Sequence, residues 1–457
     1  MSLTVLQVAQ GYPPTDYAGV ELVTHELAHM LADAGHRVGV FCREGNRSKA
    51  EYAVTRFSDG SVDVLRVVNN FTRFAEPDVP YYHPEIERLF ADYLEEVRPD
   101  VVHFQHLAGA SYRLPDIVRR AGIPVVFTLH DYWYVCPRFH LLNREGAICA
   151  GPDKGETCRE CLRWVPMNYV PAPVRRLVDR LPPTARAVVG QLWWQVRKIR
   201  HAHAAQPHIE KRFERLLGCL VEADALVAVS HFARDLYIAN GVPPDKITVI
   251  PNGFSPRPAP PAPKQDPVPP LRVGFLGSVM PHKGVHVLVQ AVKGLPAQLV
   301  SLRVHGTVGD RLYARRLAKI APPDRRSQVQ LCGGYEPSQL PEVLAGLDVV
   351  AIPSMWHETF NLVLREAWWS GATVVASRVG AITEAVRHEE NGLLVPPGDV
   401  GALRAALRRL AEDPELLAGL KARRPGDYFS IKDNGRAYLS LYRQALARHG
   451  KPFTGKA

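Results

Sequence analysis

No stretch of this sequence approaches the ~20 consecutive apolar residues that a bilayer-spanning helix requires. The N-terminus, MSLTVLQVAQGYPP, lacks the basic stretch and long apolar segment of a secretory signal and reads directly as a strand. A cytoplasmic location with reduced thiols is the expectation. Nothing resembles a nucleic-acid-binding module, and the basic residues are spread rather than interleaved with exposed aromatics in a motif. No nucleic-acid partner is therefore expected, although the net charge of +10 calls for an anionic partner of some kind. A hydrophobic fraction of 46% argues against large-scale disorder.

What is present has a regular order. The 457 residues exceed one ordinary core and suggest two domains of roughly 200 residues each. An apolar run from Leu3 to Ala9 is followed by the loop GYPPTDYAG. A helical pattern of Val23, Leu27, Met30, Leu31 and Ala34 comes next, stopped at Gly35, and then a strand from Arg37 to Cys42. That is a βαβ unit, and the alternation continues through predicted strands at 101–104, 124–128, 225–229 and 247–250. Residues 256–270, PRPAPPAPKQDPVPP, carry eight prolines and read as an extended linker. Alternation restarts with strands at 271–276, 300–305, 348–352, 373–376 and 393–395. The predicted class is α/β: an N-terminal lobe over 1–255, a C-terminal lobe over 271–424, and a helical segment over 425–457 that returns to brace the first lobe. Both lobes are doubly wound and Rossmann-like, which places a ligand cleft between the carboxyl ends of two sheets.

The strongest chemical signal is IPSMWHETFNLVLREAWWSGATVVAS at 352–377. A strand ends at Ile352, a loop carries Glu358, and a helix starting near Asn361 carries Glu366. Carboxylates accept charge-assisted hydrogen bonds from sugar hydroxyls. The amides of Phe360, Asn361 and Leu362 lie at the helix N-terminus, where a phosphate or an electron-rich sugar oxygen is attracted. The partner motif is FLGSVMPHKGVHVLVQA at 275–291. Here Gly277 and Ser278 form a turn after a strand, and Lys283-Gly284 opens a helix, an arrangement suited to diphosphate.

On these motifs the sequence resembles the retaining GT-B glycosyltransferases of family 4 over nearly its whole length. The resemblance rests on the Glu358/Glu366 pair and Lys283-Gly284, with IPNGF at 250–254, GAITE at 380–384 and NGLLVPPGD at 391–399. In the first lobe AGVE at 18–21, VHFQH at 102–106 and LHDYW at 129–133 also match. The resemblance implies that Lys283 holds the donor diphosphate, Glu366 the ribose hydroxyls and Glu358 the donor sugar, with the amides of 360–362 completing that pocket. It implies that Gly19 lets the first-lobe loop approach the phosphates, that His130 lies beside the reacting sugar, and that Glu21 and His106 stand on the acceptor side. One departure is Ser278, where the family commonly has arginine, so diphosphate stabilisation rests more heavily on Lys283. The implied chemistry is transfer from a nucleotide diphosphate sugar to a hydroxyl acceptor with retention. It requires no cofactor and no divalent metal. A sugar-nucleotide epimerase or phosphorylase on the same fold, and a non-catalytic nucleotide-sugar-binding protein, are the competing readings.

Two first-lobe segments stand apart. Cys136, Cys149, Cys158 and Cys161 are separated by twelve, eight and two residues, and only Cys158/Cys161 forms a CxxC knuckle. Structural zinc, another metal centre such as an iron–sulfur cluster, and simply packed thiols all fit that spacing. Residues 172–215 read as a basic, helical insert in which Arg175, Arg176, Arg180, Arg186, Arg197, Lys198 and Arg200 accompany Trp193 and Trp194. Such a segment suits an anionic membrane surface and a lipid-linked acceptor at its inner face, while a solvated face over a tryptophan core is the alternative.

Overall fold

The N-terminal apolar run becomes β1 (Thr4–Ala9), buried on both faces from Val5 onward in the computed structural model. The structure describes residues 2–72, 81–143, 145–149, 206–255, 269–320, 328–426 and 428–450, together with Gly151, Cys158 and Cys161. Beside β1 lie β2 (Arg37–Glu44), β3 (Val54–Asp59), β4 (Val62–Val68), β5 (Val101–Phe104), β6 (Val125–Leu129), β7 (Ala225–Ala228) and β8 (Ile247–Val249). They form one sheet in the order β3-β4-β2-β1-β5-β6-β7-β8, parallel except for the β3–β4 hairpin. Near-continuous Val, Leu, Ile and Phe runs are what a parallel sheet covered on both faces demands. Leu6, Val8, Val102 and Phe127 fill one face, and Val5, Val38, Val40 and Val126 the other.

The second lobe repeats the plan with β9 (Leu271–Leu276), β10 (Val300–His305), β11 (Val329–Gly333), β12 (Val349–Ile352), β13 (Thr373–Ser377) and β14 (Leu393–Val395). Their order is β11-β10-β9-β12-β13-β14, and every pairing is parallel. In each sheet the strand order reverses beside its first strand, at β1/β5 and at β9/β12. Ligands of doubly wound sheets bind outside the strand carboxyl ends at that reversal. The motif loops after β1, β9 and β12 all leave from those ends.

The helix Ile431–Arg448 begins with a capping box, in which Ser430 and Asp433 satisfy each other's backbone amides. It lies on the first lobe, where Tyr438, Tyr442, Ala445 and Leu446 join the core beneath β1. Tyr442 Oη meets His103 Nδ1 at 2.7 Å, and Tyr438 Oη meets Thr128 Oγ1 at 2.8 Å. Sequence reading had missed the β3–β4 hairpin and β11. The hairpin is an edge element whose β3 residues alternate between exposed and half-buried, so its apolar signal is weak. Residues 256–268 of the proline-rich linker lie outside the described residues, as do 171–205, which hold every arginine, lysine and tryptophan named in the basic insert.

Candidate active site

After β9 the chain turns through Gly277, whose φ of 120° favours glycine, and leaves Ser278 exposed. A single 3-10 turn, Pro281–Lys283, follows and ends at Gly284 with φ 71°. A Cβ on Gly284 would stand 1.8 Å from the Pro353 carbonyl oxygen. Only glycine lets the lysine turn press this closely on the loop after β12.

That contact delivers Lys283 Nζ to 2.8 Å from Glu358 Oε1. The same oxygen accepts from Ser354 Oγ at 2.6 Å and from the Trp356 indole Nε1 at 2.9 Å. Burial pushes the Glu358 carboxyl up, but the Lys283 charge and these hydrogen bonds outweigh it and hold it below the ordinary glutamate value. Lys283 Nζ also lies 5.0 Å from the centre of the Trp356 ring. Glu358 is thus the buried anchor of a more exposed lysine, with side-chain exposures of 5% and 24%. Ser354 and Trp356, both inside the quoted motif, were given no role by sequence reasoning. A hydroxyl and an indole N–H four and two residues before a glutamate were the available signal.

The helix Leu362–Trp369 starts from Asn361, whose φ is 66° and whose side chain accepts from the Leu364 amide at 2.9 Å. Arg365 folds back over the Phe360 ring at 3.9 Å and bonds the carbonyls of Phe360 and Asn361. Burial lowers its guanidinium to about 10. Glu366 is half-buried on the same helix.

The first lobe meets this helix directly. A Cβ on Gly19 would lie 3.8 Å from Leu362 Cδ1, so the loop after β1 and the helix after β12 face each other. Glu21 on that first-lobe helix is buried, and Gln10 donates to its Oε1 at 3.0 Å. Its Oε2 has no hydrogen-bond partner among the described residues, and burial raises its carboxyl. His130, after β6, pairs through Nε2 with Gln105 Oε1 at 2.7 Å, while the Gln105 amide donates to Gln7 Oε1 at 2.8 Å. This network puts the His130 proton on Nε2. Burial, then the neighbouring His106, lowers His130 to about 3, so the ring is neutral. His106 is buried, accepts from the Ala108 amide at Nδ1, and faces Asp131 at 3.3 Å through Nε2. Lys283 is thus joined to Glu358, the 360–362 segment faces Gly19, and Thr359 bonds the His130 carbonyl, so these residues are linked across the two lobes.

The four cysteines of the 136–161 segment are free thiols, with Cys136 and Cys158 buried. Burial pushes the Cys158 thiol up to about 12, helped by the nearby Cys136, Cys149 and Cys161. Cys149 Sγ donates to the Gly151 carbonyl at 3.2 Å, and Arg138 donates to Cys161 Sγ at 3.8 Å.

Two Rossmann-like lobes, the second carrying both the lysine turn and the glutamate helix, make the GT-B architecture. Residues 17–257 match Glycosyltransferase Family 4, and residues 270–413 match Glycosyl transferases group 1. The chain belongs to glycosyltransferase family 4. It is 33% identical over 251 residues to the D-inositol 3-phosphate glycosyltransferase of Stackebrandtia nassauensis, covering 49% of this chain and 55% of that protein. It is 29% identical over 266 residues to the MMP alpha-(1->4)-mannosyltransferase of Mycolicibacterium hassiacum, covering 57% and 62%. The chain thus spans little more than half the length of these curated relatives. Among solved structures, sucrose-phosphate synthase from Thermosynechococcus elongatus superposes with a TM-score of 0.67 at 19% identity, covering 98% of this chain and 100% of that one. The Anabaena protein HepE in complex with UDP and glucose superposes with a TM-score of 0.62 at 17% identity, covering 96% and 99%. No helix among the described residues is long and apolar enough to cross a membrane.

Proposed function

We propose that this protein is a retaining glycosyltransferase that moves a sugar from a nucleotide diphosphate sugar to a hydroxyl acceptor. The observation that carries this reading is the Lys283–Glu358 pair. A buried carboxylate with three donors on one oxygen holds a partly exposed ammonium at the mouth of the inter-lobe cleft. The UDP complexes of HepE support a nucleotide diphosphate donor in such a cleft.

In the proposed reaction the bond between the anomeric carbon and the β-phosphate oxygen breaks. The acceptor oxygen bonds to the same face, and its proton passes to the departing phosphate. No protein nucleophile is needed. Lys283 and the amides ahead of the helix Leu362–Trp369 stabilise the charge that grows on the leaving diphosphate, as preorganised groups that need not reorient. Glu366 on that helix binds the ribose hydroxyls. His130, neutral at physiological pH with its Nε2 proton committed to Gln105, accepts a hydrogen bond from a donor-sugar hydroxyl at Nδ1 and transfers no proton. The acceptor is proposed to be a lipid-linked intermediate of a cell-surface polysaccharide or glycolipid, met at the inner membrane face. That part rests on the arginines and tryptophans of the basic insert.

A screen of nucleotide sugars by thermal shift and donor hydrolysis tests the reading. One donor should raise the melting temperature and be consumed, because a ligand that binds only the folded state stabilises it. The product should keep the donor's anomeric configuration. Failure of every nucleotide sugar to stabilise the protein or be consumed would refute the proposal.

A further inference from the structure

Outside the cleft, three potential metal ligands converge on one point. His25 and His29 sit four residues apart on the helix Gly19–Asp33, which puts both imidazoles on one face. Asp59 is the last residue of β3, at the turn of the hairpin that sequence reading missed. His25 Nε2 lies 3.1 Å from Asp59 Oδ2, and His29 Nε2 lies 2.9 Å from the same oxygen. The two rings are 4.3 Å apart between centroids. Tyr12 Oη donates to that oxygen as well, at 3.1 Å.

Asp59 Oδ2 is therefore the meeting point of two imidazoles and a phenol. We infer that His25, His29 and Asp59 form a binding site for one divalent transition-metal ion of the zinc class. The donor atoms of this group all lie within 4.8 Å of one another, a condition no other group of three histidine, cysteine or acidic side chains meets among the described residues. A tetrahedral ion with bonds of ~2.0–2.1 Å holds its ligand atoms about 3.3 Å apart. The side chains need shift only slightly to accept one.

Two imidazoles with one carboxylate select zinc, cobalt, nickel or copper over magnesium and calcium. Each side chain is about one-third exposed, at 33%, 31% and 33%, so an ion can enter and water can fill the remaining position. Tyr12 holds the same carboxylate oxygen, and its own carbonyl is held by Arg66 Nη2 at 3.0 Å. The ion would tie the first helix to the β3–β4 hairpin. Through Tyr12 it would also fix the loop between β1 and Gly19, the residue that meets Leu362 of the second lobe. Its role is to hold that loop, and it takes no part in the transfer chemistry.

The test is zinc binding by the full chain after chelator treatment, followed by elemental analysis and thermal shift. Wild type should bind one more zinc per chain than His29→Gln or Asp59→Asn, and its melting temperature should rise with zinc more than theirs. Tyr12→Phe should weaken that binding by about tenfold or more, as loss of an orienting partner does. Zinc should also protect His25 and His29 of the wild-type protein from diethyl pyrocarbonate, read by peptide mass. That measurement decides the question even where a variant fails to fold. Equal zinc stoichiometry in wild type and variants, or unprotected histidines at saturating zinc, overturns the inference.

Discussion

Thr359 in the second lobe donates its hydroxyl to the backbone carbonyl of His130 in the first, at 2.6 Å, with both residues buried. Thr359 follows Glu358 in the chain, so the residue that anchors Lys283 is one peptide away from a bolt across the cleft. A second bolt lies nearby. Glu384 of the GAITE motif accepts from the amides of His231 and Phe232, at the start of the helix His231–Ala239. A carboxylate there meets the positive end of a helix dipole. These contacts hold the loop after β6 and the start of the helix His231–Ala239 against the second lobe.

Lys283→Ala should lower turnover by ~100-fold or more, because a well-placed electrostatic donor is worth that much to a developing anion. It should also destabilise the fold, since Glu358 would be left buried without its cation. Steady-state kinetics beside chemical denaturation separates the two effects. Wild-type turnover in Lys283→Ala would remove the lysine from the mechanism.

Gly284→Ala tests the geometry rather than the charge. The added methyl would fall 1.8 Å from the Pro353 oxygen, at a φ of 71° that disfavours any L side chain. The lysine turn must then move away from Glu358, and donor affinity should drop by at least tenfold with Lys283 still present. Calorimetric titration with the donor found in the screen checks this. Unchanged affinity would show that the turn can shift without cost.

Much of this cleft was legible in the sequence because its signals are local. A strand, a glycine turn and a lysine occupy nine contiguous residues, 275–283, and the glutamate motif fills one strand, loop and helix. What was not legible depends on distance in the chain. That Lys283 meets the Glu358 carboxylate, seventy-five residues later in the chain, is not readable from either motif alone. The His25/His29 pair looks like two polar positions on an amphipathic helix until the hairpin brings Asp59 to them. That hairpin carried its own mark in Asp59-Gly60, a turn dipeptide between two runs of alternating residues. The C-terminal helix was recognisable as a helix, but its tyrosines' partners, His103 and Thr128, lie more than three hundred residues away.

The cysteine segment calls for a separate measurement. A thiol pushed up to about 12 by burial is a poor nucleophile and a poor metal ligand unless a cation displaces its proton. If Cys136, Cys149, Cys158 and Cys161 hold zinc, a mercurial thiol reagent should release about one zinc per chain from protein purified without added metal. A His29→Gln variant should release the same amount, because that site contains no sulfur. Cys158→Ser combined with Cys161→Ser should abolish the release and lower stability more than donor binding. Absence of thiol-dependent zinc in folded, active protein would return the four residues to ordinary packing.

Acid should destabilise the protein in two stages whose signs follow from the buried groups. His103 and His130 are both held at about 3 by burial, each further lowered by neighbouring histidine, while an unfolded histidine titrates near ~6.5. The unfolded chain therefore takes up these protons first. Their contribution is complete above pH ~6.5 and is lost steadily as pH falls towards the folded value, by about 1.4 kcal/mol per pH unit for each ring. Glu358 acts later. Its folded value lies below that of an ordinary glutamate, so its contribution persists above ~4.3 and disappears as pH falls through the folded value. Urea denaturation of wild type and His130→Gln at pH 7.5, 6 and 5 separates the stages. Glutamine can keep the hydrogen bond to Gln105 but cannot titrate, so the variant's loss of stability between pH 6 and 5 should be shallower by about 1.4 kcal/mol per pH unit. Parallel curves would mean that His130 is protonated in the folded protein, and its proposed role as a neutral hydrogen-bonding group beside the sugar would fall with them.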